Sequence, residues 1–245
     1  MKRIFPTTLI LLLLNVCLTS CIINLDPASV PMGSSTDEIE RTYSATTLGS
    51  FDRLDMGSAF LITVVPGNTP SMTVKGDRRD VEDLEQTTRS NTLKLRYSVS
   101  RVRRYTMRVT VTMPTLRGVT FSGATKSDIT GFRNLSDLSI DLSGASKSYV
   151  DVQATRLTLD LSGASKLELI GRGTNFRGTV SGASELQSFD YPFADAVLDI
   201  SGASHAYLTA NTSLNVTASG ASKVRYRGSP TVQQVVSGAS RVERD

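Results

Sequence analysis

A serine beside a glycine, with an aspartate two residues before it and a lysine four after, is a grouping that could do nucleophilic chemistry. The stretch "DLSGASK" sets those residues out at Asp141 and repeats them at Asp160. A serine nucleophile needs a base within hydrogen-bond reach, and histidine is the usual one. The chain holds a single histidine, His205, four places after Ser201. The other copies of the motif place Lys126, Lys147, Lys166, Glu185, Lys223 and Arg241 there. His205 therefore reads as one rung of an outward, mostly basic column, and no catalytic residue is assigned. Histidine-based metal sites and Cys–His pairs require more than one histidine can supply. Asp141 and Asp160 could share a hard cation such as Ca²⁺, but two carboxylates make a poor site. No metal centre and no cofactor are expected. A lyase-like centre with acidic metal ligands and a Lys or Arg base is an enzymatic alternative resting on fold-level analogy. The remaining cluster is "SRVRRYTMR", with Arg101, Arg103, Arg104 and Arg108 around Tyr105. Between two alternating strands it reads as a solvated hairpin tip, and as a candidate basic contact for lipid phosphates or acidic polysaccharide.

The elements that must carry these residues follow from repetition. Ser-Gly-Ala-Ser/Thr occurs at Ser122, Ser143, Ser162, Ser181, Ser201, Ser219 and Ser237, at intervals of 18–21 residues. A fixed period of that size marks a solenoid. Before each motif alternate positions are apolar, as in Leu138, Ile140 and Leu142, or Leu157, Leu159 and Leu161. After it apolar positions recur five and seven places from the serine, as in Leu167 and Leu169. Taking the alanine as inward, the alternation slips at the motif, so the motif is a bend between two short parallel strands, with the alanine fitting a narrow coil. The expected fold is all-β: a right-handed parallel β-helix of about seven coils, each pairing with the next at about 4.8 Å.

Upstream the pattern is alternating strands without a repeat: Phe60–Val65, Ser71–Gly76, Thr92–Val99 and Thr106–Met113, with one short helix-like stretch, Asp77–Gln86. An antiparallel region built from these would cap the N-terminal coil, and the charged residues after the last motif would blunt the other end.

The N-terminus is a targeting segment. Lys2 and Arg3 precede the apolar run Leu9–Leu18, too short to span a bilayer, which ends in "LTSC" at Cys21. This resembles a bacterial lipobox, which implies cleavage after residue 20 and lipidation of Cys21. Cleavage would also remove Cys17, leaving no thiol for a disulfide. The expected divisions are a signal peptide over 1–20, a lipidated cysteine and tether over 21–47, a capping region over 48–121 and the repeats over 122–245.

Charge is nearly balanced, with 27 Lys+Arg against 23 Asp+Glu, which argues against nucleic acid as partner. Aromatic residues make up 6% and Trp is absent, so stacking platforms are poorly supplied. The candidate interaction surface is the basic column of Lys126, Lys147, Lys166, His205, Lys223 and Arg241, with Tyr149 and Tyr207 two places further on.

The lipobox, the Ser/Thr-rich tether, the lead-in "FDRLDMGSAFLITVVPG", the stretch "VTMPTLRGVTFSGATKSDI" and the iterated "SGAS" coils together resemble the autotransporter adhesin head, GIN-domain family. The resemblance covers residues 48 to 245, without a literal Gly-Ile-Asn; Gly57-Ser58-Ala59 stands at the corresponding place. It implies a β-helical envelope protein of Gram-negative bacteria, often a lipoprotein, and no catalytic residues. The expected function is a lipid-anchored, non-enzymatic protein of the cell envelope, most simply the outer membrane, presenting an elongated surface for adhesion. Two alternatives are a polysaccharide-binding or -processing protein using the basic ridge, and an assembly protein forming homo-oligomers through the exposed coil end.

Overall fold

The computed structural model describes residues 35–245. The signal segment, Cys21 and the first part of the expected tether lie outside them.

The repeated tetrapeptide forms the corners of a β-solenoid. In the third copy, Ser162-Gly163-Ala164-Ser165 separates β11 (Lys147–Leu161) from β12 (Lys166–Val180), and the same turn recurs in every copy. Gly163 has φ +73°, a left-handed conformation that costs an L-residue about 1–2 kcal/mol. A Cβ there would also lie 2.4 Å from the carbonyl oxygen of Gly144 in the coil below. The corner backbones touch because pairing continues through the turn: Ala164 N donates to Gly144 O at 2.7 Å, and Ala183 N to Gly163 O at 2.8 Å. So from the second copy onward glycine is needed for two reasons, conformation and contact with the glycine of the coil below.

The alanine is not the inward residue. It is exposed in every copy, and the fourth residue is buried instead: Thr125, Ser146, Ser165, Ser184, Ser204, Ser222 and Ser240. Counting inward positions through Ser146 gives Leu142, Ser146, Ser148 and Val150, so alternation does not slip at all. A hydroxyl can be buried here because it donates to the carbonyl three residues back. Ser146 Oγ reaches Ser143 O at 2.8 Å, and Ser165 Oγ reaches Ser162 O at 2.8 Å.

Two parallel stacks result. The stack after the corners comprises β9 (Lys126–Thr130), then the first parts of β11, β12, β13 (Glu185–Ile200) and β14 (His205–Ala218), then β15 (Lys223–Arg227) and β17 (Arg241–Arg244). The stack before them comprises β8 (Gly118–Phe121), β10 (Leu135–Leu142), the later parts of β11 to β14, and β16 (Thr231–Val236).

The stacking extends across the expected boundary at Ser122. β2 (Arg53–Met56) pairs in parallel with β8, and β3 (Leu61–Pro66) with β9. Their corner is Gly57-Ser58-Ala59-Phe60, with Ser58 and Ala59 both at positive φ. A further coil lies beneath: β6 (Thr92–Tyr97) pairs in parallel with β2, and β7 (Arg108–Met113) with β3. The upstream strands are therefore largely solenoid, not an antiparallel block. The antiparallel part is β4 (Ser71–Asp77) on β7, β1 (Glu38–Tyr43) on β4, and β5 (Leu84–Arg89) on β6.

Three local expectations change. Residues 38–47 are not tether: β1 packs Ile39 and Tyr43 on the core, and the helical turn α1 (Ala45–Leu48) buries Leu48. The helix within Asp77–Gln86 is α2 (Arg78–Glu82), capped by Asp77, which accepts from Arg79 N; Leu84 onward is strand. Residues 98–107 are not a hairpin tip, because β6 and β7 belong to different stacks.

The interior is filled largely with aliphatic side chains, with buried phenylalanines at Phe60, Phe121 and Phe132 and one three-ring cluster. Phe176, Tyr191 and Phe193 are buried, with ring centroids 4.6 Å apart for Phe176–Phe193 and 4.9 Å for Tyr191–Phe193. Tyr191 accepts from Ala154 N at 3.0 Å, so its hydroxyl is satisfied. At the C-terminal end β16 pairs only with β14, and β17 only with β15, among the described residues. Val235 and Val236 are exposed there.

Candidate functional site

The outward positions of the stack after the corners form columns in strict register. Lys126, Lys147, Lys166, Glu185, His205, Lys223 and Arg241 are successive partners, as the repeat alignment predicts. The neighbouring column is Asp128, Tyr149, Glu168, Gln187, Tyr207, Arg225 and Glu243. The solenoid brings these residues onto one face because each coil repeats the last.

Charge balance along that face is uneven. Lys166 Nζ lies 3.0 Å from Glu185 Oε1, and Lys223 lies 3.9 Å from Glu243. Gln187 Nε2 also donates to Glu185, and this hydrogen bond, with Lys166 beside it, holds the Glu185 carboxyl below the usual range. The acid that neutralises Lys166 is thus the next rung of its own column, not Glu168. Lys126 and Lys147 have no ion pair among the described residues. They sit with Tyr149, Lys166 and Glu168 around a shallow cavity of about 260 Å³. His205 is exposed and no hydrogen bond among the described residues reaches its imidazole. The corner hydroxyls of Ser146, Ser165 and Ser222 are spent on backbone carbonyls.

Sequence reasoning named Tyr207 on this face but missed its aromatic neighbour Phe189. Phe189 meets Tyr207 edge-on at 5.6 Å, and the Arg227 guanidinium lies 3.9 Å over the Phe189 ring. Arg227 is held in turn by Asp245 at 2.8 Å. Phe189 follows the buried Ser188, so alternation from the corner at Ser184 marks it as outward. That was the available signal. It was hidden because low aromatic content was read for the chain as a whole.

The stack before the corners carries a carboxylate column. Asp141 pairs in register with Asp160 on one side and Thr120 on the other, and Asp55 pairs with Thr120. Among the described residues no group of three metal-ligating side chains forms. The Asp141 carboxyl is held above its ordinary value, first by burial and then by the like charges of Asp160 and Asp55. A raised acid destabilises the fold where it must ionise. That cost appears as pH rises through the ordinary carboxylate range and is absent well below it. Asp160→Asn should therefore stabilise the chain at pH 7 by about 0.5 kcal/mol, about 1–2 °C in melting temperature, with little effect at pH 3. Thermal melts at the two pH values test this, and an equal gain at both would refute the charge argument.

The arginines of the cap divide into two kinds. Arg103 Nη1 lies 2.6 Å from both Asp80 Oδ1 and Asp83 Oδ2, and its guanidinium lies 3.9 Å over the Tyr97 ring. Arg101 reaches the same two carboxylates at 3.2 and 2.8 Å. Arg108 pairs with Glu38 at 3.0 Å. Arg104 stays exposed, beside Arg79. Burial alone would lower the Arg103 guanidinium, but its bonds to Asp80 and Asp83 outweigh that and hold it above its ordinary value. Arg101 and Arg103 therefore serve the fold.

Similarity to known proteins agrees with this architecture. The family described as "Putative auto-transporter adhesin, head GIN domain" matches residues 50–230. A crystal structure of a putative adhesin from Bacteroides fragilis is 21% identical, covers 87% of this chain and 100% of its own, and has a TM-score of 0.78. A putative adhesin from Parabacteroides distasonis is 13% identical, covers 85% of this chain and 97% of its own, and scores 0.68. A protein from the same organism described as a putative lipid binding protein is 16% identical, covers 87% and 99%, and scores 0.66. At these identities the likeness is one of fold. No curated protein matches.

Proposed function

Since this chain belongs to the auto-transporter adhesin head GIN-domain family, we propose that it is a lipid-anchored, non-enzymatic cell-envelope protein that binds its partner along one face of the solenoid. The family's adhesin-like description supports an envelope or surface protein. The lipobox ending at Cys21 supports the lipid anchor. The single observation that carries the binding face is the contrast within each coil. Glycine, buried serine and inward apolar residues recur for structural reasons, whereas the outward columns change from coil to coil.

The chemistry of that face favours an acidic glycan or an acidic protein segment. Lys126 and Lys147 offer unneutralised charge beside Tyr149, and the Phe189–Tyr207 pair offers apolar rings further along. The triple variant Lys126→Ala/Lys147→Ala/Tyr149→Ala should bind acidic-glycan surfaces and whole cells at least about tenfold less well. All three side chains point outward, so its melting temperature should be retained. Unchanged binding would sink this reading of the face.

For the anchor, Cys21→Ala should move the protein from the membrane fraction to the soluble fraction. Membrane association of Cys21→Ala that persists through a high-salt wash, which removes electrostatic contacts, would refute lipidation at Cys21.

One observation favours assembly as a second reading. Among the described residues the outer edges of β16 and β17 are unpaired, with Val236 41% exposed beside them. If two copies meet there, Val236→Asp should convert a dimer to a monomer by light scattering. A concentration-independent wild-type monomer would exclude it.

A further inference from the structure

The described surface exposes few large apolar side chains, and two of them share one segment. Val99 is 50% exposed and Val102 is 68% exposed, both between β6 and β7. The segment is held by a rigid base. Arg103 is locked against Asp80, Asp83 and Tyr97, and its Nη2 donates to Val99 O at 2.6 Å. The valines are thus held outward by a half-buried ion network, at a place where a polar residue would be the ordinary choice.

Val102 shares a concavity of about 460 Å³ with Tyr105 and two arginines, Arg79 and Arg104, that make no ion pair among the described residues. The carboxylates on the rim are engaged elsewhere: Asp77 accepts from Ser35 Oγ and Arg79 N, and Asp80 pairs with Arg101 and Arg103. Arg101 and Arg103, by contrast, are spent on Asp80 and Asp83.

The rim of that concavity is also where the N-terminal segment arrives. Asp77, which borders it, accepts from Ser35 Oγ at 2.7 Å, and Arg78 N donates to Asp37 O at 2.9 Å. Cys21 precedes Ser35 by only 14 positions, and the described chain begins at this rim. A lipid on Cys21 would therefore hold this surface, rather than the far end of the solenoid, against the bilayer.

We propose that the Val99–Tyr105 segment is a second, non-covalent membrane contact, in which Val99 and Val102 enter the headgroup layer while Arg79 and Arg104 engage anionic lipid phosphates. The proposal rests on the anchoring reading for which surface lies nearby. Two contacts at one end would orient the solenoid, with the cap on the lipid and the coil end at Val236 directed away from it.

The test uses the chain from Ile22 onward, which keeps every described residue and omits Cys21. It should sediment with vesicles of phosphatidylglycerol and phosphatidylcholine in equal parts, and much less with phosphatidylcholine alone. Binding should weaken as salt rises. Arg79→Ala/Arg104→Ala should lower the partition coefficient about 25-fold without shifting the melting temperature. Val102→Trp supplies the only tryptophan of the chain, and its emission should shift to the blue on anionic vesicles. Equal binding to both vesicle types, an unaffected double variant, or an unshifted tryptophan in vesicle-bound protein would each overturn the proposal. Because Cys21 is absent from this assay, its result is independent of the release experiment on Cys21→Ala.

Discussion

Arg103→Ala is expected to destabilise the protein by about 3–5 kcal/mol, a fall in melting temperature of about 10 °C or more. The cost comes from what remains. Asp80 is only 6% exposed, and Arg103 and Arg101 are its ion-pair partners. Removing Arg103 leaves a carboxylate in the cap with one longer contact at 3.2 Å. It also uncovers the Tyr97 ring, whose phenol burial and Asp80 already hold above its ordinary value. Arg103→Lys should recover only part of the loss, since an ammonium is a point charge that cannot match both carboxylates and lie over the ring. Asp80→Asn/Arg103→Met should be much less damaging than Arg103→Ala, because the unpaired charge is then gone. Urea denaturation of the four proteins ranks these losses. An Arg103→Ala protein within about 0.5 kcal/mol of the parent would show that the network is merely a surface ion pair.

Gly182→Ala is expected to cost about 3 kcal/mol or more, the sum of a left-handed backbone and a steric collision. At φ +76° the new Cβ would lie 2.4 Å from Gly163 O, so two coils must separate. The coil of Gly202 presses on Gly182 from the other side, with Ala203 N bonded to Gly182 O at 2.8 Å, so the coil has nowhere to go. Gly238→Ala poses a similar conflict, with a Cβ 2.6 Å from Gly220 O and φ +69°. Nothing among the described residues stacks beyond that corner, and the last coil can tilt outward. Its cost should be smaller by about 1 kcal/mol or more. Equal losses at the two positions would mean that the penalty is conformational only. By comparison Ala183→Ser should be nearly neutral, since the alanine faces solvent.

The solenoid itself was legible because its residues answer to strict geometry. A period of 18–21 residues, alternation on either side and a glycine in every copy leave few alternatives. The columns from Lys126 to Arg241 followed from alignment of the repeats, and the strand register bears them out. The corner was read correctly as a bend but with the wrong residue inside. Alanine is the apolar choice by composition. Serine wins because a buried hydroxyl can bond the carbonyl three residues back, a partner that exists only once the turn has formed.

The cap was less legible, for a topological reason. β2 and β3 are flanked on one side by β8 and β9 and on the other by β6 and β7. The chain lays down the middle coil first, so neighbours in space are not neighbours in sequence and no period betrays them. "EIERTY" has too few alternating positions to stand out from a Ser/Thr-rich stretch, and only β4 beside it makes it a strand. The arginine cluster could be counted from the sequence but not sorted. Which of Arg101, Arg103, Arg104 and Arg108 are spent depends on where α2 places Asp80 and Asp83.

The sequence by itself determined that this protein is a repetitive parallel β-solenoid with glycine corners, because local periodicity is enough when each coil contacts only the next. The tertiary structure decided which charges remain free and which residues close the N-terminal end. Those outcomes depend on contacts between distant segments, such as Asp80 with Arg103 and Ser35 with Asp77, that no local pattern encodes.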